Sequence, residues 1–494
     1  MNPKLLALLG LLLCAAAVLA GPPLIDEQDA LIQIRNDLEY IFSDPSFSAA
    51  HWGVAVQSTR TGEYFYLRNE NKAFMPASNM KLFTTAAGLL GLGPDYRYVT
   101  RLMAHGLISA EGVLEGDLII RGCGDPSLSG RWENGKITAV FERWADSLQA
   151  RKITAITGKV IGDGRYFNDG RIGAGWAWDD LTDYYSAQIS ALTFNDNCVD
   201  LIFMPGDSLG GPARYRLEPN TAYVQIVNRV TTGSRSKLGF WRDPGSNKII
   251  CEGTISQSSK ERRDWITVEN PAKYAATVLR EILLSRGIRV YEEAFEIDEL
   301  PGYLPVEYKT VQLASHTSPP LSEIVREINK ESNNLFAELL LRTVGRELEG
   351  NGSAEGGEQA AKKLFEPAGI SPQQFYAADG SGLSRQNLVS PMSVILLLRH
   401  MREQQAGQIY YDSLPVAGVD GTLKGRMRGT AAKGNVHAKT GYIGRVRALS
   451  GYVTTRDSEI LVFSMIVNNY NVPTGTANHL QDLVCERLAN FTRK

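Results

Sequence analysis

The chain has 494 residues, too many for one core of ordinary size, so two or three domains are expected. Hydrophobic content of 43% with 21% charged residues excludes a disordered or fibrous chain. The 52 basic and 54 acidic residues nearly cancel and form no long run of one sign, which argues against a dedicated nucleic-acid binder.

Residues 1–20 read as an export signal. Lys4 precedes the apolar stretch Leu5 to Leu19, and Val18-Leu19-Ala20 offers a small-residue cleavage site before Gly21. That stretch is short of the roughly 20 apolar residues a membrane span needs, and no later segment reaches that length. Cleavage near Ala20 would deliver the protein to the periplasm. A lipoprotein attachment at Cys14 is disfavoured because Leu13 precedes it. Cys123, Cys198, Cys251 and Cys485 then remain, too few and too scattered for a disulfide scaffold, with Cys198 and Cys251 the preferred pair. No CxxC occurs and the six histidines show no HExxH spacing, so no metal or other cofactor is expected.

Three blocks follow. Residues 26–95 carry a helix pattern from Leu31 to Phe42, then the strand Gly53 to Gln57. A turn at Thr61-Gly62, the strand Tyr64 to Leu67 and a helix after Pro76 complete that block. From about 98 to 265 short β runs alternate with Gly-rich turns: Leu118 to Ile120, Ile156 to Ile161, Val199 to Met204, Tyr223 to Val227 and Ile249-Ile250. From 266 the pattern returns to amphipathic helices, Tyr274 to Arg286, Leu321 to Lys330, Leu335 to Leu348 and Val394 to Gln404. The strands Arg447 to Thr455 and Glu459 to Asn468 and a last helix from Ala477 to Leu488 close the chain. The reading is an α/β framework, residues 21–97 and 266–494, interrupted by a β-rich insert over 98–265.

Three short motifs concentrate the chemistry. Ser78-Asn79-Met80-Lys81 opens a helix, so Ser78 and Lys81 share one face and an amine can take the hydroxyl proton. A serine at a helix N-terminus also has free backbone N–H groups nearby, suited to a developing oxyanion. Ser332-Asn333-Asn334 lies between two helices, and Lys439-Thr440-Gly441 begins a late strand, where glycine lets a substrate backbone approach and lysine holds an anion. Singly, each has an ordinary explanation: a helix cap, a polar loop, a solvated lysine. A second Ser-x-x-Lys, Ser234 to Lys237, sits in a Gly/Ser-rich turn. Gly206-Asp207-Ser208-Leu209-Gly210 matches G-x-S-x-G, but Gly211-Pro212 follows instead of the required helix, so it reads as a turn.

In order, the three motifs resemble those of the penicillin-recognising serine acyl enzymes. Ser78 and Ser332 are 254 residues apart, and Ser332 and Lys439 are 107 apart. The long first gap resembles the D-alanyl-D-alanine carboxypeptidase/endopeptidase family, the class C low-molecular-mass penicillin-binding proteins, rather than β-lactamases. Leu118 to Pro126, Gly175 to Asp180, Asp196-Asn197-Cys198 and Asp379 to Arg385 resemble further landmarks of that family. The resemblance implies a penicillin-recognising serine transpeptidase-like fold, an antiparallel sheet with helices. It implies a hydrolase of peptidoglycan stem peptides and cross-links, with β-lactams as covalent inhibitors and no nucleic-acid partner. In that reading Ser78 attacks, a neutral Lys81 is the base and Ser332 relays the proton. Asn334 binds the substrate amide, Lys439, Thr440 and Gly441 hold the carboxylate end, and Ser78 and Tyr442 supply oxyanion N–H groups. Asp180 and Arg385 would grip a zwitterionic third residue with Tyr185 as a wall, although Asp179 competes for the carboxylate role. A β-lactamase-like hydrolase and a silent peptidoglycan-binding protein are the alternative readings.

Overall fold

The computed structural model describes residues 27–303 and 310–493; the expected export signal and Cys14 lie outside the described residues. The framework is built on a five-stranded, wholly antiparallel sheet ordered His437–Ile443, Val446–Thr454, Ile460–Asn468, His51–Ser58, Tyr64–Arg68. Period-2 alternation explains how one sheet serves two cores. Along Ile460–Asn468, Leu461, Phe463, Met465 and Val467 face the helices Glu27–Phe42 and Thr474–Asn490. Val462 and Ile466 face the other way, toward the helices Met80–Gly91, Leu321–Lys330, Asn334–Glu349 and Pro391–Glu403. Helices thus cover both sheet faces, an α/β arrangement with an antiparallel sheet. The turn Arg456-Asp457-Ser458 joins its two longest strands as the sequence indicates, with Ser458 at φ 66°.

The second body is β-rich and begins where its sequence signature does, at Val99, but ends differently. A seven-stranded mixed sheet pairs Val99–Ile108 with Val113–Arg121 on one side and with Thr310–Thr317 on the other. Two three-stranded sheets complete it, Gln225–Gly233 with Lys237–Arg242 and Lys248–Ser256, and Cys198–Met204 with Arg214–Glu218 and Arg262–Thr267. The helix Pro271–Ser285 buries Tyr274, Val278, Leu279 and Leu283 in this body's core. The return to the framework expected at 266 is therefore corrected: the chain rejoins it only at Leu321–Lys330. Amphipathic periodicity identified these helices but not which core their apolar faces enter. The β-rich insert also carries one helix in this core, Ala139–Ala150, that the sequence reading did not single out. Cys198 and Cys251 lie in different sheets, and all four described cysteines are free thiols, so the preferred disulfide is not present.

Candidate active site

Ser78 sits in a single turn, Ala77–Asn79, that leads directly into the helix Met80–Gly91. Ala77 is held at φ 47°, a left-handed conformation costly for a residue with a Cβ. Two glycines make room for that turn. A Cβ on Gly382 would lie 1.8 Å from the Ala77 carbonyl oxygen, and one on Gly441 would lie 2.6 Å from that of Pro76. The glycine of Lys439-Thr440-Gly441 thus admits the backbone before Ser78, a packing role its position on a strand did not suggest. From below, Asn79 donates to Ser450 at 2.6 Å, tying the turn to the strand Val446–Thr454.

Lys81 is fully buried beneath Ser78. Its Nζ lies 2.6 Å from Asn334 Oδ1, 2.6 Å from the Ser381 carbonyl and 3.0 Å from Ser78 Oγ. Burial lowers its pKa to about 7, opposed by the negative charges of Asp379 and Glu338. A neutral amine has two N–H bonds and one lone pair. The two shorter contacts take the N–H bonds, and the lone pair is left facing the Ser78 hydroxyl.

Ser332 and Lys439 complete the cluster. Lys439 Nζ donates to Ser332 Oγ at 2.9 Å and to the Thr440 carbonyl at 3.1 Å. Desolvation, then the proximity of Lys81, hold its pKa well below that of a free lysine. Ser332 adopts φ 61°, which turns its hydroxyl toward Lys439 at the break between two helices. Both ordinary and special readings of Ser332-Asn333-Asn334 apply: Asn333 caps the next helix by accepting from Phe336 N, while Asn334 faces Lys81. Asn334 Nδ2 donates to the Tyr185 carbonyl at 2.7 Å, so its amide is spanned between Lys81 and the insert. Thr440 Oγ1 donates to Thr422, and Tyr442 is exposed with the Arg447 guanidinium over its ring.

The residues expected to set specificity make contacts of their own. The Tyr185 hydroxyl donates to Asp180 at 2.8 Å and to Asp183 at 2.9 Å, while Asp179 is exposed. Arg385 is exposed and donates to the Gly444 carbonyl just beyond the Lys439 strand. Asp180 and Arg385 thus belong to different bodies. Ser208 and Ser234 lie in turns of the insert, Lys237 opens the strand Lys237–Arg242, and none of the hydrogen bonds given for these residues reaches this cluster.

Sequence reading missed a buried support. Glu338, on the Asn334 helix, accepts from Gly380 N at 3.1 Å, Ser381 N at 2.8 Å and Arg342 Nη1 at 2.8 Å. It thereby fixes the residue whose carbonyl receives Lys81. Asp379 accepts from Gly382 N, Ser384 N, Asn387 and the Trp176 indole. Arg342 also pairs at 2.9 Å with Asp169 of the insert. The one available signal was spacing: Asn334, Glu338 and Arg342 recur every four residues on a leucine-rich helix.

The sequence profile of the D-Ala-D-Ala carboxypeptidase 3 (S13) family matches residues 34–489. The chain is 36% identical over 488 residues to a D-alanyl-D-alanine carboxypeptidase of an Actinomadura species, covering 96% of this chain and 87% of that protein. It is 28% identical over 419 residues to the D-alanyl-D-alanine carboxypeptidase DacB of Haemophilus influenzae, 82% of each chain. The crystal structure of penicillin binding protein 4 from Haemophilus influenzae matches with a TM-score of 0.78 at 24% identity, over 92% of this chain and 99% of that one.

Proposed function

Because the chain belongs to the D-Ala-D-Ala carboxypeptidase 3 (S13) family, we propose that it is a serine-type D-alanyl-D-alanine carboxypeptidase acting through an acyl-enzyme on Ser78. The observation that carries this reading is the contact of Ser78 Oγ with a buried Lys81 whose two other contacts are both acceptors.

Neutral Lys81 takes the Ser78 proton as Oγ bonds to the carbonyl carbon between two D-alanines. The oxyanion that forms is met by the backbone N–H groups of Ser78 and Tyr442. The C–N bond then breaks. Its nitrogen receives the proton from Lys81 through Ser332, whose hydroxyl Lys439 orients, and D-alanine leaves as the amine. Water attacks the ester with Lys81 again as base, releasing the shortened peptide and restoring Ser78–OH. Lys439 also provides positive potential for the terminal carboxylate, assisted by Thr440, and Asn334 aligns the substrate amide from its place between Lys81 and Tyr185.

Finer assignments belong to the same proposal. Asp180, Tyr185 and Arg385 form the pocket for a diamino-diacid third residue, and cross-link cleavage uses the same acylation step. Residues 1–20 direct export to the periplasm, where peptidoglycan lies. β-Lactams acylate Ser78 because their strained amide presents the same carbonyl.

The test is mass spectrometry after exposure to benzylpenicillin, run beside an assay for D-alanine release from a D-Ala-D-Ala peptide. A single adduct on Ser78 together with D-alanine release is expected. An adduct elsewhere, or no release, overturns the reading.

A further inference from the structure

Beside the Ser78 cluster the insert carries an aromatic surface that the chemistry above does not use. Trp178, Tyr184, Trp241 and Trp265 are 67%, 61%, 44% and 49% exposed. Trp178 meets Trp241 edge-on at 6.5 Å between ring centroids, and Tyr184 meets Trp265 at 6.1 Å. Edge-on pairing leaves ring faces open to solvent. Four large aromatics exposed together mark a binding surface more often than an accident of folding.

The surface is built, not loosely assembled. Buried Arg242, next to Trp241, donates to the Leu181 carbonyl at 3.0 Å and to Thr267 at 3.2 Å, and pairs with Glu269 at 2.9 Å. Thr267 in turn donates to the same Leu181 carbonyl at 2.6 Å. Asp183 bridges to Ile266, the neighbour of Trp265. One buried guanidinium therefore locks the segment carrying Trp178 and Tyr184 against the strands carrying Trp241 and Trp265.

It is also continuous with the proposed catalytic groove. Tyr184 meets Tyr185 at 5.8 Å, and the Tyr185 carbonyl accepts from Asn334, which contacts Lys81. An aromatic path thus runs outward from the rim of the Ser78 site. Its flanking charges, Asp179, Asp180 and Asp183, are acidic and disfavour a polyanion such as nucleic acid or an anionic lipid surface. A pyranose ring fits this chemistry: its C–H face lies on an aromatic ring, and its hydroxyl and amide donors meet carboxylates.

We propose that Trp178, Tyr184, Trp241 and Trp265 form a platform for the polysaccharide of N-acetylated amino sugars to which the stem peptides are attached. The inference rests on the peptidoglycan reading and extends it from the peptide to the sugar chain. The platform holds the glycan while the attached peptide reaches Ser78, so it acts on polymeric substrate and not on a free peptide.

The test uses the full chain in two forms. Carrying Ser78→Ala, it is run in affinity gel electrophoresis through peptide-free glycan strands. Carrying Ser78, it is assayed on a soluble D-Ala-D-Ala peptide and on intact peptidoglycan. Trp241→Ala and Trp265→Ala should each weaken glycan retardation and lower kcat/KM on intact peptidoglycan by about tenfold, the scale of one aromatic contact. Trp265→Tyr should restore most of the loss, and kcat/KM on the soluble peptide should stay at the parent value. Benzylpenicillin acylation of each variant checks the fold. Equal losses on both substrates, unchanged glycan retardation, or an apparent mass in solution showing that this face joins two copies would overturn the platform. If the parent fails to cleave the soluble peptide, the carboxypeptidase reading fails instead, and glycan retardation still tests the platform by itself.

Discussion

Replacing Glu338 by Gln should move the pH profile of acylation without removing any group that touches Ser78. Lys81 has a pKa of about 7 in the folded protein, lowered by burial and held up in part by the charges of Asp379 and Glu338. Because the base must be neutral, kcat/KM should rise with pH through about 7 in the parent enzyme. Glu338 holds the Ser381 N–H at 2.8 Å while Lys81 reaches the Ser381 carbonyl at 2.6 Å. The two charged groups are then about 7 Å apart across one residue, worth about 2 kcal/mol at an effective dielectric constant near 20. Arg342 cancels part of that field and keeps Asp169 as a partner after the substitution, leaving about one pKa unit. The sign is downward: losing a negative charge disfavours the ammonium, so the acid limb should fall from about 7 to about 6. The variant should also lose absolute rate, since a glutamine NH2 cannot accept from Gly380 N and the 380–381 backbone loosens. The diagnostic is therefore the ratio of variant to parent rates, which should rise by about fivefold between pH 8 and pH 6. The second-order rate of benzylpenicillin acylation over pH 5–9 measures it. A flat ratio, or one that falls toward low pH, refutes the placement of Glu338 behind Lys81.

Ser78→Ala should abolish both the penicillin adduct and D-alanine release, with no adduct appearing on Ser208 or Ser234, as peptide mapping will show. Lys81→Arg should stop acylation because a guanidinium stays protonated; Lys439→Arg should also lose rate, since that site is fully buried and overpacking costs about 1–3 kcal/mol. Equal acylation rates in the two arginine variants would remove Lys81 as base. Gly382→Ala places a Cβ 1.8 Å from the Ala77 carbonyl at φ +86°, so calorimetry should show a lower Tm and acylation should fail together. Asp180→Ala and Arg385→Ala should each lower kcat/KM about tenfold on peptides with a diamino-diacid third residue, the worth of one hydrogen bond to a charged group, while sparing penicillin acylation. Equal loss on penicillin would mean that they support the fold.

What was legible in the sequence was what depends on local periodicity. The strands flanking Arg456-Asp457-Ser458 and the helix after Pro76 follow from apolar runs broken by a polar turn and from a proline ahead of an apolar run. Ser78, Lys81, Ser332, Asn334 and Lys439 are drawn into one cluster, and their order along the chain was the signal. The rest is set by partners distant in sequence. The helix Pro271–Ser285 has the same amphipathic texture as the framework helices, and only the strands it covers assign it to the other core. The packing role of the glycine at 441 was not legible because the Pro76 carbonyl it makes room for is 365 positions away. Glu338 drew no reading from the sequence, because its charge is matched by backbone N–H groups 42 and 43 residues downstream. A buried carboxylate satisfied by main chain leaves no mark in composition.

That same satisfaction bears on the fate of the acyl-enzyme. The two carboxylates whose fields reach Lys81 are Glu338 and Asp379. Glu338 is taken up by Arg342 and two backbone amides, and Asp379 by two backbone amides, Asn387 and the Trp176 indole. Freeing either to activate water would strand several buried donors, at about 1–3 kcal/mol each. In the proposed mechanism the base for deacylation is then Lys81 itself, which would lose its proton again with Lys439 close by. D-Alanine departs and leaves space for water over the ester, whereas the ring-opened β-lactam keeps its leaving nitrogen tethered there. On the proposed mechanism, a site with Lys81 as its one base should hydrolyse the peptidyl ester readily and the penicilloyl ester slowly, which single-turnover deacylation rates of the two esters would measure.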